Sequence, residues 1–176
     1  MNNLRQHLSL IRSGLGLLTA ASLALCLPSF APAADSPANW TKAADNHILA
    51  QKLVNELMAQ NADLVVVGLH VTPPGSTVER MVASNLDRIG KEDDADDIAV
   101  FSERKTILCP NAKEPHKFEV QVPLMDVNGV VIGTCGFVFR YNAGDDELEL
   151  HRRALVLRAW LKERTPSLDA LLRPSA

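Results

Sequence analysis

The stretch "SNLDRIGK" gathers Asn85, Arg88 and Lys91 within seven residues, just after a β-branched run. An amide and two cations at a strand end are groups that can receive a carboxylate or another anion through charge-assisted hydrogen bonds. The same composition also suits a polar loop that only solvates and caps. Two further polar residues interrupt apolar stripes. His70 follows Val66 and Gly68 in phase, and Arg140 follows Thr134 and Val138. A charge buried on such a stripe needs a partner. For His70 the first reading is a structural histidine satisfied by its neighbours, and for Arg140 an exposed strand end. Ligand contact is the second reading for both.

Other candidates carry less. The acidic run "EDDADD" invites a calcium reading but lacks the central glycine and the closing acid of an EF-hand loop, so it reads as a solvated helix start. No paired-histidine metal spacing and no glycine-rich phosphate loop occurs, so neither metal nor cofactor is expected. Cys109 and His116 are close in the chain without forming a recognisable nucleophile motif.

The elements that would position these residues follow from periodicity. Leu49, Leu53 and Leu57 mark an amphipathic helix beginning near Asp45. "ADLVVVGLHV" reads as a strand stopped by Pro73-Pro74-Gly75, and "TVERMVASN" as a second. "DDADDIAVFSERK" reads as a short helix with acids in its first turn and bases in its last. "TILCP" is a short third strand. "KFEVQVPLMD" and "GVVIGTCGFVFRY" flank Asn128-Gly129, the pair that favours a type I′ hairpin turn. The latter strand is apolar on both faces, the mark of a central strand. "GDDELELHRRALVLRAWLKERTP" is the longest helix, with "HRR" on a solvated face, and "SLDALL" is a last turn capped by Ser167. The expectation is an α+β fold: a five-stranded antiparallel sheet flanked by a long N-terminal helix, a short middle helix and a long C-terminal helix.

With 176 residues, 47% hydrophobic and 22% charged, the chain suits one globular domain plus a removable leader. Arg5 and Arg12, the apolar run "LGLLTAASLALCL" and "APA" at 31–33 read as a secretory signal peptide over residues 1–33, followed by a short leader at 34–44 and a single domain at 45–176. Beyond the signal, 16 basic residues face 21 acidic ones, a net charge of −5, which disfavours nucleic acid. The mature chain has no stretch suited to membrane insertion and is expected to be periplasmic or secreted. Cys109 and Cys135 would be its only cysteines.

The helix leading into a strand, "VASNLDRIGK" before a short helix, and "VPLMDVNGVVIGTCGFVF" with Asp126, Gly129, Ile132 and Gly133 together resemble PAS-like extracytoplasmic sensor modules of the single Cache type, over about Asn46 to Arg164. That resemblance implies a PAS-like sheet with a small-ligand pocket between the sheet and the segment joining strands two and three. In a PAS-like sheet Cys109 and Cys135 would stand two strand spacings apart, roughly 9 to 10 Å, beyond the reach of a disulfide. The function expected is a secreted, non-enzymatic sensor that binds a small, anionic organic ligand at Asn85, Arg88, Lys91, His70 or Arg140 and acts through a membrane-bound signalling partner. Alternatives are a ligand-free adaptor with a filled core and a thiol enzyme using Cys109 or Cys135.

Overall fold

The structure, a computed structural model, describes residues 47–110 and 113–175. The signal peptide and leader expected over residues 1–44 lie outside the described residues. The elements run α1 Leu49–Gln60, β1 Leu64–Val71, β2 Arg80–Ser84, α2 Ala95–Glu103, β3 Ile107–Pro110, β4 Lys117–Met125, β5 Val131–Arg140, α3 Glu147–Arg164 and α4 Leu168–Leu171. The strands form one antiparallel sheet in the order β2-β1-β5-β4-β3, with β5 at its centre. No described helix is long and apolar enough to cross a membrane.

Alternation along the strands divides the sheet into two unlike faces. On one, Val67, Leu69, Phe118, Val120, Val122, Cys135, Phe137 and Phe139 are buried. Leu53, Val54 and Leu57 of α1 and Ala154, Leu157 and Leu161 of α3 cover them, each set at helical spacing. On the other, Gly68, His70, Glu119, Gln121, Thr134 and Gly136 are in phase, and α2 crosses them over β4 and β5.

The helices stop and start where their ends find partners. Asp146 accepts from the N–H groups of Leu148 and Glu149 at the head of α3, and Ser167 accepts from Ala170 at the head of α4. No side chain caps α1. Its first amide, on Leu49, donates to Arg173 O at 2.9 Å, so the two ends of the domain close on each other. The buried Gln51 of α1 exchanges two hydrogen bonds with the backbone of Ser84, at 2.9 and 3.1 Å, which pins the helix to β2. The "HRR" run is not simply solvated. Arg153 reaches from α3 to Asp63 and Asn61 in the α1–β1 turn, and this ion pair holds the Asp63 carboxyl below its usual range.

Two expected details differ. The second strand is shorter than "TVERMVASN", because Glu79 O and Met81 N are taken by the segment Gly90–Asp93, which runs back along the edge of β2. The hairpin is not type I′, since Asn128 keeps negative φ and only Gly129 is left-handed, at φ 81. Gly129 N donates to Asp126 O, and the Asp126 carboxylate accepts from the amides of Asn128 and Val130, both at 2.9 Å. This side-chain anchor favours a type I turn closed by a left-handed glycine.

At Gly133 a Cβ would lie 2.0 Å from His70 O and 2.9 Å from a Val71 methyl. Gly133→Ala should therefore force β1 and β5 apart and cost about 3 kcal/mol or more, at the upper end of overpacking effects or above. Urea unfolding of the variant checks this; a midpoint equal to wild type would refute the close approach.

Candidate functional site

The polar face of the sheet is hollow at its centre because two glycines oppose each other there. Gly68 pairs with Gly136 across β1 and β5. A Cβ at Gly68 would lie 3.0 Å from His70 Nε2, and one at Gly136 would lie 3.1 Å from Glu119 Oε1. The absent side chains thus leave room for these two polar tips to bend over the floor. Above them opens a cavity of about 440 Å³, walled by Gln121, Asp97 and Lys117 and rimmed by Arg88, Lys91 and Asp96. That volume lies within the range of small-molecule sites.

Strand alternation brings Glu119 and Gln121 inward, opposite Val138 and Gly136. Helix α2 brings its first turn. Gln121 Nε2 donates to Asp97 Oδ1 and to Asp96 Oδ2, both at 3.2 Å, and Thr134 Oγ1 donates to Asp97 O at 3.0 Å. The acidic run is therefore split. Asp94 remains at the surface, paired with Lys91 at 2.7 Å, whereas Asp93 and Asp97 turn inward onto His70. A wholly solvated helix start is corrected on this point, because the segment running back along β2 delivers Asp93 under the end of β1.

His70 Nδ1 lies 2.6 Å from Asp93 Oδ1 and 3.9 Å from Asp97 Oδ2. Burial alone would lower the imidazole's proton affinity, but the Asp93 hydrogen bond and the charges of Asp93, Asp97 and Glu79 outweigh it and raise the pKa. Burial, with Asp93 beside it, pushes the Glu79 carboxyl up to about 7. Burial also raises Asp97 and Glu119. The cavity is thus an electronegative site with a histidine at one side.

Of the residues singled out in sequence, Arg88, Lys91 and His70 line this cavity together. The Arg88 guanidinium has no hydrogen bond or ion pair among the described residues, whereas Lys91 is held by Asp94. Asn85 is not among the lining groups. Its amide oxygen accepts from Val67 N and its NH2 donates to Val65 O, both at 3.0 Å, tying the end of β2 to β1. Arg140 faces an adjoining depression with Leu64, His116 and Lys117. Glu119, Gln121, Asp97 and Glu79 were not anticipated. For Glu119 and Gln121 the signal lay in "KFEVQV", where polar residues alternate with Phe118, Val120 and Val122 on an otherwise buried strand. Cys135 is on the apolar face and Cys109 on the opposite one, with β4 between them. Burial raises both thiols, more so at Cys135, and Glu119 and Asp96 add to the effect at Cys109.

Structural comparison finds this fold elsewhere. A protein assigned as a GAF sensor from Burkholderia vietnamiensis superposes over 70% of this chain and 76% of its own, with TM-score 0.51 and 15% identity. The GAF domain region of a membrane protein from Geobacter sulfurreducens does so over 69% and 93%, with TM-score 0.51 and 13% identity. The fold is GAF/PAS-like. No family model matches the sequence, and no curated protein matches it. At such identities the likeness concerns the fold, which agrees with the α+β, PAS-like architecture expected from sequence.

Because the Asn85 amide bonds the β1 backbone through both its oxygen and its nitrogen, Asn85→Ala should cost about 1–3 kcal/mol through two lost hydrogen bonds, one to each of two backbone groups. Thermal unfolding measures it. A neutral substitution would show that this amide does not fasten β2.

Proposed function

We propose that this domain is a small-molecule sensor whose ligand occupies the hollow above Gly68 and Gly136. The observation that carries the reading is that hollow: an open, polar space at the middle of a sheet whose other face is solidly packed. It favours ligand binding over a ligand-free adaptor, whose core would be filled. The chemistry of the walls specifies a ligand with charge of both signs. Arg88 offers an anion site at the rim, as the sequence suggested, and Asp96, also at the rim, and Glu119, beside the glycine floor, offer acceptors for N–H groups. A small amino acid or a related zwitterion meets both requirements, whereas an organic acid alone would leave its far end against carboxylates.

The domain is further proposed to be exported, non-enzymatic and of the single Cache kind, passing its signal to a membrane-bound partner protein. Support for export comes from the basic-then-apolar pattern of residues 1–33. Against thiol catalysis, both cysteines are held in the protonated form, which is the poor nucleophile.

A thermal-shift screen against amino acids, dicarboxylic acids and polyamines tests the ligand class, since a ligand that binds only the folded state raises its apparent stability. Amino acids should give the largest shifts; a screen in which none of the three classes shifts unfolding would overturn the reading. For a hit, Arg88→Ala should weaken binding roughly ten- to a hundredfold through one charge-assisted hydrogen bond. Stability should change by about 0.5 kcal/mol or less, because Arg88 is at the surface. Gly136→Leu should fill the hollow and abolish binding. Amino-terminal sequencing of the secreted protein should begin near Ala34 or Asp35, and finding Met1 retained would remove the export proposal.

A further inference from the structure

Three separate segments converge beneath the end of β1. His70 comes from the strand itself, Glu79 from the approach to β2, and Asp93 and Asp97 from the turn into α2. The imidazole and one oxygen from each of Asp93 and Asp97 all lie within 4.8 Å of one another. Ligands held tetrahedrally at about 2.0–2.2 Å from an ion stand roughly 3.4 Å apart. The observed 2.6 and 3.9 Å from His70 Nδ1 straddle that spacing, so sub-ångström shifts of side chains would produce it.

Unused donors distinguish this cluster from an ordinary group of acids. The Asp93 side chain is 1% exposed, and its Oδ2 has no partner among the described residues. Glu79 is 8% exposed, its Oε1 likewise has none, and its carboxyl makes no hydrogen bond or ion pair there. It nevertheless feels Asp93, His70 and Asp97 strongly enough for each to move its proton affinity. Buried carboxylate oxygens without partners are costly, and Asp93 and Asp97 together outweigh the charge of the one imidazole even when the ring is protonated. A doubly charged ion would balance that excess and engage the orphaned Asp93 oxygen. The surroundings are already arranged for it, because Gln121 holds Asp97 Oδ1 and leaves Oδ2 toward the histidine.

We propose that His70, Asp93 and Asp97 bind one divalent transition-metal cation, of the zinc or manganese class. One imidazole with two carboxylates suits these ions better than calcium or magnesium, which favour all-oxygen sets. On binding, the proton on His70 Nδ1 is released to solvent, and the metal–nitrogen bond takes the place of the Nδ1–Asp93 hydrogen bond. The site shares His70 and Asp97 with the ligand cavity and can be filled while that cavity is empty.

The test uses the full mature chain, stripped with chelator and with no organic ligand present. Zn²⁺ and Mn²⁺ alone should each bind at one equivalent by calorimetry and raise the unfolding temperature, and Ca²⁺ and Mg²⁺ should not. Asp93→Asn and His70→Gln should weaken Zn²⁺ binding by more than the roughly 10–100-fold that losing an outer-shell partner costs. Since these buried changes could impair folding, a measurement on the wild type accompanies them: Mn²⁺ should broaden the backbone amide NMR signals of Glu79, Asp93 and Asp97 first. Broadening confined to other regions, no binding of either ion, or undiminished Zn²⁺ affinity in both folded variants would overturn the site. Ligand binding is read separately in chelator, so failure of the metal site leaves the sensor reading standing, and the converse holds.

Discussion

The contact of β1 with β5 at glycine positions governs everything on the polar face. At Gly133 the two backbones come so close that no Cβ fits between Gly133 and the carbonyl of His70. Three residues further along β5, Gly136 faces Gly68 and opens the hollow. The same strand therefore clamps β1 at one point and leaves space at the next. His70 stands between these two points, so backbone packing fixes where its side chain leaves the strand, and Asp93 and Asp97 meet its ring there. A histidine free to rotate away would leave Asp93 and Asp97 facing each other in a poorly hydrated space, which is unfavourable for like charges.

The two faces of the sheet divide the energetic tasks. The apolar face, with Phe118, Phe137 and Phe139 fully buried beneath α1 and α3, supplies hydrophobic stabilisation without help from the site. The polar face gathers Glu79, Asp93, Asp97 and Glu119 at a cost, because burial raises the proton affinity of three of them. A domain can carry such unfavourable electrostatics only where the rest of the fold has stability to spare, and their concentration at one cavity is the pattern of a functional site.

Much of this was legible before the structure. The doubly apolar "VVIGTCGFVF" named the central strand, and helical spacing of Leu49, Leu53 and Leu57 named the face that α1 buries. Such features are local and periodic. The site was less legible because its contacts are long-range: Asp93 meets His70 from 23 positions away and Gln121 meets Asp97 from 24. Composition also misled. "EDDADD" looks uniformly solvent-facing, yet the segment pairing along β2 turns one acid inward, and the first turn of α2 turns another. At the hairpin, Asn-Gly argued for one turn, and the unread Asp126 carboxylate selected a different one.

The arrangement of α2 implies that the two proposed occupants of the polar face communicate. Asp96 and Asp97 are consecutive, and Gln121 donates to both. Asp96 faces the cavity where a ligand's N–H groups would lie, and Asp97 faces His70. A cation at His70 would draw Asp97 toward itself and share the Gln121 amide differently between the two carboxylates, changing what Asp96 presents to a ligand. Linkage then requires that the ligand alter cation affinity by the same factor as the cation alters ligand affinity. The element common to both is the first turn of α2, fastened to the centre of the sheet only by Thr134 and Gln121 among the bonds described above. A short helix held by few polar contacts over a rigid sheet is the part of this fold best able to move when the charge beneath it changes.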